Sequence, residues 1–134
     1  MTALYQNRAL ADAMTEKLRV YAQPQRLMIL SCLLEGEKTV GQIDAATAIG
    51  QPALSQQLAE LRRADMVRTR RAAKQVHYTL ADDTIALCVR SMEAMMGDTN
   101  DPAQALNAAL EHRPQVATPF TQIPAGTAGF ARIG

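Results

Sequence analysis

Between positions 62 and 74, Arg62, Arg63, Arg68, Arg70, Arg71 and Lys74 stand against Asp65 alone, a local charge of +5 in a chain whose net charge is only +1. A field of that kind draws in polyanions whatever the total charge is. Immediately before it, "GQPALSQQLAELRR" carries Gln51, Ser55, Gln56 and Gln57. A glutamine amide can make two hydrogen bonds to the N6/N7 edge of adenine. Small Ser and Ala side chains permit close approach, and a helix N-terminus favours a phosphate. A charge run alone is more often a solvated face, and a Gln-Gln pair alone means little. The order of the surrounding elements has to decide.

The other residues with reactive side chains are Cys32, Cys88, His77 and His112. Their spacing contains no zinc or soft-metal pattern, so the expectation is no metal site. Two cysteines without a dense framework suit a reducing cytosol with free thiols. Each lies within an apolar pattern, where free Cys commonly acts as a small hydrophobe. No nucleophile–base pair, paired carboxylates or phosphate loop stands at a usable spacing, and Ser55 has no nearby histidine. The chain is therefore read as no enzyme, with no cofactor.

The 134 residues suffice for one domain with a modest core. Hydrophobic residues make up 48% of the chain, while aromatic residues make up 4%, so Leu, Ile, Val, Ala and Met must fill that core. No run approaches the roughly 18 apolar residues of a membrane span. The start, "MTALYQNRALADAM", lacks the layout of a secretory signal. The expected location is cytoplasmic, with no membrane partner.

Leu10, Met14, Leu18 and Tyr21 form one helical stripe within residues 4–21. Pro24 can open the next helix, "QRLMILSCLLEG", which is apolar on most sides and so belongs at the centre of the core. Thr39 can cap "VGQIDAATA", with Gln42 as the reciprocal partner. Ile49-Gly50 makes a turn, and Gly50 and Pro52 suit the start of a helix over about 51–64. Leu54, Leu58 and Leu61 mark its buried face. The opposite face carries Pro52, Gln56, Ala59 and Arg63, with Ser55 on the flank and Gln57 near the far edge.

"MVRTRR" and "QVHYTL" alternate as the two strands of a short hairpin: Val67 and Thr69 against Arg68 and Arg70, then Val76, Tyr78 and Leu80 against Gln75, His77 and Thr79. The linking "AAK" lacks the Asn-Gly signal of a tight turn. On this pattern His77 is exposed or touches phosphate. Asp82 or Asp83 caps a last amphipathic helix whose stripe is Ile85, Cys88, Val89, Met92, Met95 and Met96, stopped at Gly97. From Asp98 the composition changes, with four of the six prolines. "DPAQALNAALEH" suggests one small helix with Leu106 and Leu110, followed by a flexible, low-charge arm. No internal repeat is present. The division is thus 1–97 as one folded domain and 98–134 as a C-terminal extension.

Helix, glycine turn, capped helix and basic hairpin, in that order, describe a winged helix-turn-helix: mainly α with a small β-hairpin. The second helix would enter the major groove of double-stranded DNA. Arg68, Arg70, Arg71 and Lys74 on the wing would grip the backbone, supplying affinity and register more than sequence choice.

Residues 24–82 resemble the ArsR/SmtB-type family of bacterial repressors. "RLMILSCLLEGE", "TVGQI", "ALSQQLAELRRADMV" and "RTRRAAKQVHYTL" carry the likeness. It implies a homodimer paired through the helices at about 4–21 and 82–97, binding an inverted-repeat operator. The family usually has Ser where Gly50 stands and often His where Gln57 stands. Thr39 and Gly41 occupy the places of the Cys-x-Cys metal pair that many members carry. No histidine lies between His77 and His112, so the alternative metal site on the last helix is not supplied either. A persulfide- and oxidant-sensing branch uses one cysteine on the second helix and one on the last. The resemblance thereby implies Cys32 and Cys88 as candidate thiol sensors, although that branch's positions correspond to Ser31 and the vicinity of Gly97. A reactive sulfur species or oxidant is favoured over a metal as inducer, and another small inducer stays open. The alternatives are an effector-independent or metal-responsive regulator, and a protein-interaction module using the C-terminal arm.

Overall fold

In a computed structural model of the chain, residues 2–97 and 100–111 are described. After a 3-10 turn at Leu4–Gln6, the elements are α1 (Arg8–Tyr21), α2 (Pro24–Leu33), β1 (Lys38–Thr39), α3 (Val40–Thr47), α4 (Ala53–Arg63), β2 (Val67–Ala72), β3 (Gln75–Leu80), α5 (Asp83–Met96) and α6 (Pro102–Glu111).

Local chemistry sets the helix starts. Asn7 accepts from the Leu10 amide to open α1, and Gln23 accepts from the Arg26 amide to open α2, with Pro24 in the first turn. The expected capping box is formed: Thr39 Oγ1 accepts from Gln42 N at 3.2 Å, and Gln42 Oε1 accepts from Thr39 N at 2.8 Å. Asp82 caps α5 through the Ile85 amide at 3.0 Å. Gly97 ends α5 in extended rather than left-handed backbone.

The core runs through α2. Ile29, Leu30 and Leu33 are fully buried, together with Ile43 of α3, Leu54, Leu58 and Leu61 of α4, Leu80 of β3 and Ile85, Ala86 and Val89 of α5. A helix apolar on most sides sits where neighbours can cover all of them, and α2 touches α1, α3, α4, α5 and β3.

The sheet differs from a simple hairpin. It has three antiparallel strands in the order β1-β3-β2, because Lys38 pairs with Tyr78 and Thr39 with His77. A two-residue strand shows no alternation, so its sequence gave no sign of it. Two residues of the expected outward face of β3 are not exposed. Thr79 is buried, and its hydroxyl has no hydrogen-bond partner among the described residues. His77 is half-buried rather than free on the wing. In the hairpin, Ala72 opposes Gln75, and both linking residues, Ala73 and Lys74, have left-handed φ values of 54° and 67°. That is the primed two-residue turn, made without its preferred Asn-Gly.

The small helix of the C-terminal extension is present as α6, which packs along α5 with Leu106 and Leu110 exposed. The arm from residue 112 onward, with His112, lies outside the described residues.

Candidate nucleic-acid interface

α3 and α4 are joined by a turn that needs glycine at one position. Gly50 has φ +83°, and its amide donates to Asp44 Oδ1 at 2.9 Å. The second helix begins at Ala53, later than expected, and Pro52 holds the N-cap position without a side-chain bond. Gln51 therefore stands outside the helix and takes over the capping. Its Oε1 accepts from the Ser55 hydroxyl at 2.6 Å and the Ser55 amide at 3.3 Å. Gln51 and Ser55 form one preset unit at the tip of α4.

With Leu54, Leu58 and Leu61 inside, Ser55, Gln56, Ala59 and Arg63 are exposed. Gln57 is not. It is half-buried, and its Oε1 accepts from Arg26 Nη1 at 3.1 Å. Arg26 also donates through Nε to the Val20 carbonyl at 2.7 Å and through Nη2 to the Arg19 carbonyl at 3.3 Å. This one guanidinium closes the end of α1, belongs to the start of α2 and holds the flank of α4. The Gln57 amide is thus engaged within the protein, where it fastens the helix.

The cations divide in the same way. Arg70 donates from Nε and Nη2 to the two carboxylate oxygens of Glu37, each at 2.6 Å. Glu37 lies in the lead-in to β1, and His77, opposite Arg70 in the sheet, has Nδ1 3.8 Å from Glu37 Oε1. The Glu37 hydrogen bonds raise the Arg70 pKa further, so the guanidinium stays charged while its charge is locally neutralised. Arg70 belongs to the foot of the wing, not to its free surface. Arg63 is paired with Glu60 at 2.7 Å on the open helix face, a contact of small net value. Arg62, Arg68, Arg71 and Lys74 are exposed, and no ion pair engages them among the described residues. Sequence reasoning missed Arg26 and Glu37 because both act on residues more than 30 positions away.

The two thiols do not meet at one site. Cys32 lines a cavity of about 520 Å³ between α2, α3 and α5, while Cys88 lines a smaller groove between α1 and α5 beside Tyr21. Both are free and half-buried. Burial pushes the Cys32 thiol up, Lys38 opposes that, and Glu35 adds to it. The result is a neutral thiol, the opposite of the depressed value that selective reactivity requires. Among the described residues, no group of three or more His, Cys, Asp and Glu could hold a metal ion. Nor is any helix among them long and apolar enough to cross a membrane.

Comparison with known proteins agrees with this geometry. Residues 23–69 match the family model described as bacterial regulatory protein, arsR family. The biofilm growth-associated repressor of Agrobacterium fabrum is 46% identical over 78 residues, spanning 58% of this chain and 67% of that protein. The crystal structure of the transcriptional repressor BigR from Xylella fastidiosa superposes with a TM-score of 0.68 at 34% identity, covering 73% of this chain and all of the other. A homodimeric winged helix-turn-helix DNA-binding domain from Mycobacterium bovis aligns with a TM-score of 0.60 at 26% identity, over 70% of this chain and 87% of that one. The fold, the capped helix-turn-helix and these matches together show that the chain belongs to the ArsR family of bacterial regulatory proteins.

Proposed function

We propose that the protein is a homodimeric transcriptional repressor that places the first turns of α4 in successive major grooves of an inverted-repeat operator. The observation that carries this reading is the exposed face of Ser55, Gln56 and Ala59 opposite a fully buried leucine row, flanked by Arg62, Arg68, Arg71 and Lys74, which no ion pair engages among the described residues. Residues 1–97 form the DNA-binding and dimerisation unit. The apolar side chains Leu10, Met14 and Leu18 of α1 and Leu87 of α5 remain 36–51% exposed, a stripe suited to burial against a second copy.

The test is a binding titration on a duplex selected from a random library, repeated over a range of salt. The reading expects a palindromic selected site with half-sites about one DNA turn apart, and affinity that falls steeply with salt. Gln56→Ala should lose roughly 1–3 kcal/mol at one operator position and relax specificity there. Uniform weakening across sequences would refute Gln56 as the reading residue.

Release by thiol modification is the finer part of the proposal, supported by free thiols on both α2 and α5. It expects a sulfane-sulfur or peroxide donor to weaken operator binding. Unchanged affinity with both thiols still titratable would end it.

A further inference from the structure

The cavity between α2, α3 and α5 has about 520 Å³ of space, within the range of roughly 300–1,000 Å³ that small-molecule sites occupy. Its walls are Leu27, Met28, Cys32, Val89, Met92 and Met96. Three flexible thioethers give a surface that adapts to differently shaped apolar chains. The thiol among them is neutral, because burial raises its pKa.

Two charged residues line the cavity, and they are not equivalent. Glu35 is ion-paired with Lys38 at 3.1 Å. Glu93 accepts a hydrogen bond from the Ser31 hydroxyl, and no cation among the described residues pairs with it. An open apolar groove, with Met28 45% and Met96 86% exposed, therefore lies beside an exposed carboxylate that no described cation pairs with. An anion there is repelled, and a neutral molecule gains no charge attraction from the carboxylate. A cation gains its attraction. Among the described residues no aromatic ring lines the cavity, so the head group is recognised by N–H donors to the carboxylate rather than by a π face.

We propose that this cavity binds a small hydrophobic monocation, a primary alkyl- or arylammonium, with its chain among Met28, Met92 and Met96 and its head on Glu93. The lining shares only Met92 with the α1–α5 groove, so a second copy seated on that groove does not need this space. Because Ala46 and Thr47 of α3 form one wall and α5 another, an occupant touches both the helix-turn-helix and the last helix. Its role as an effector rests on the DNA-binding reading; its binding does not.

The experiment uses the full chain without DNA, labelled with 13C at the methionine methyls and titrated with n-hexylammonium, hexan-1-ol and hexanoate. The Met28, Met92 and Met96 signals should shift saturably while the buried Met66 stays still. Hexylammonium should bind about fivefold more tightly than hexanol, the advantage expected of one partly exposed ion pair. Glu93→Gln should erase that advantage and keep hexanol binding. Ala46→Leu, which fills the α3 wall, should weaken both with an unchanged thermal melt. Equal binding of all three compounds, absence of saturation, shifts led by Met14, or indifference to Ala46→Leu would each overturn the site. Should DNA binding prove absent while this titration holds, only the effector role falls.

Discussion

Arg26 and Gln57, separated by 31 positions, meet through a 3.1 Å hydrogen bond that ties the exposed helix α4 to the corner between α1 and α2. The same guanidinium satisfies two carbonyls at the end of α1, so its loss unties three elements together. Arg26→Ala should lower stability by about 1.5–3 kcal/mol, the range for hydrogen bonds to a charged donor. It should also weaken binding to every DNA sequence by a similar factor, because α4 loses its seat rather than its reading surface. Denaturant melts and binding to matched and scrambled duplexes check this. A change in sequence preference would mean that Gln57 itself reads a base.

The bidentate contact of Arg70 with Glu37 separates two kinds of wing residue. Lys74→Ala, Arg71→Ala or Arg68→Ala should each flatten the slope of log affinity against log salt by about one charge, as a lost phosphate contact does. Arg70→Ala should leave that slope unchanged and lower affinity by loosening the wing. Glu37→Gln should steepen the slope, because it frees a cation. Salt titrations of the four single variants and of Glu37→Gln decide. Equal flattening by Arg70→Ala would place that side chain on the backbone of DNA.

Tyr21 and Cys32 set a limit at alkaline pH. Burial first, then the neighbouring Cys88 thiol, raises the Tyr21 hydroxyl well above its usual value of 10.0, and burial raises Cys32 above 9.0. A folded-state pKa above the unfolded one stabilises the protein below the unfolded value, and that contribution is lost as pH rises through the folded pKa. The thermal midpoint should therefore hold up to about pH 9 and fall beyond it, first through Cys32 and then through Tyr21. The Tyr21 hydroxyl is buried without a hydrogen-bond partner of good geometry among the described residues, so Tyr21→Phe should be neutral or stabilising by up to about 1 kcal/mol and should lessen the alkaline decline. Destabilisation of more than that at neutral pH would show that the hydroxyl has a partner.

Burial of Cys32 has a kinetic consequence. A raised pKa leaves less thiolate at neutral pH, so Cys32 should react with iodoacetamide more slowly than free cysteine at pH 7. Its rate should still be climbing above pH 9. Mass spectrometry of the two cysteine-containing peptides follows each thiol separately. Faster reaction than free cysteine at pH 7 would show Cys32 to be a selective nucleophile despite its burial.

Features with local causes were legible in the sequence: the Thr39–Gln42 box, the Leu54, Leu58 and Leu61 row, and the Asp82 cap all depend on residues within one or two turns. What escaped depends on long separations or on very short elements. Nothing in "EKT" announces a strand, because Lys38 and Thr39 become one only when β3 arrives to pair with them. The same contact brings Glu37 under Arg70 and His77, turning two outward residues of an isolated hairpin into half-buried ones. Gln57 looked free because helical geometry gives its direction but not the arginine waiting there. Cys32 and Cys88 share an apolar pattern, yet α5 presents different sides to α1 and α2, so they open on separate cavities.

The wing tip carries an avoidable backbone strain. Ala73 and Lys74 both occupy the left-handed region, which costs non-glycine residues roughly 1–2 kcal/mol each and suits Asn or Gly better. Ala73 is exposed and bears no charge, so it can be replaced without touching the cations. Ala73→Asn should raise stability by about 0.5–1 kcal/mol, since Asn tolerates positive φ and favours the first position of this turn. DNA affinity and its salt slope should stay as they are, because Lys74 keeps its place. Replacing Ala73 with Val, whose branched side chain fits the left-handed region poorly, should cost at least as much as Asn gains. Chemical melts of the two variants give the ordering Asn above Ala above Val, and any other order would contradict the two-residue primed turn at the tip of the wing.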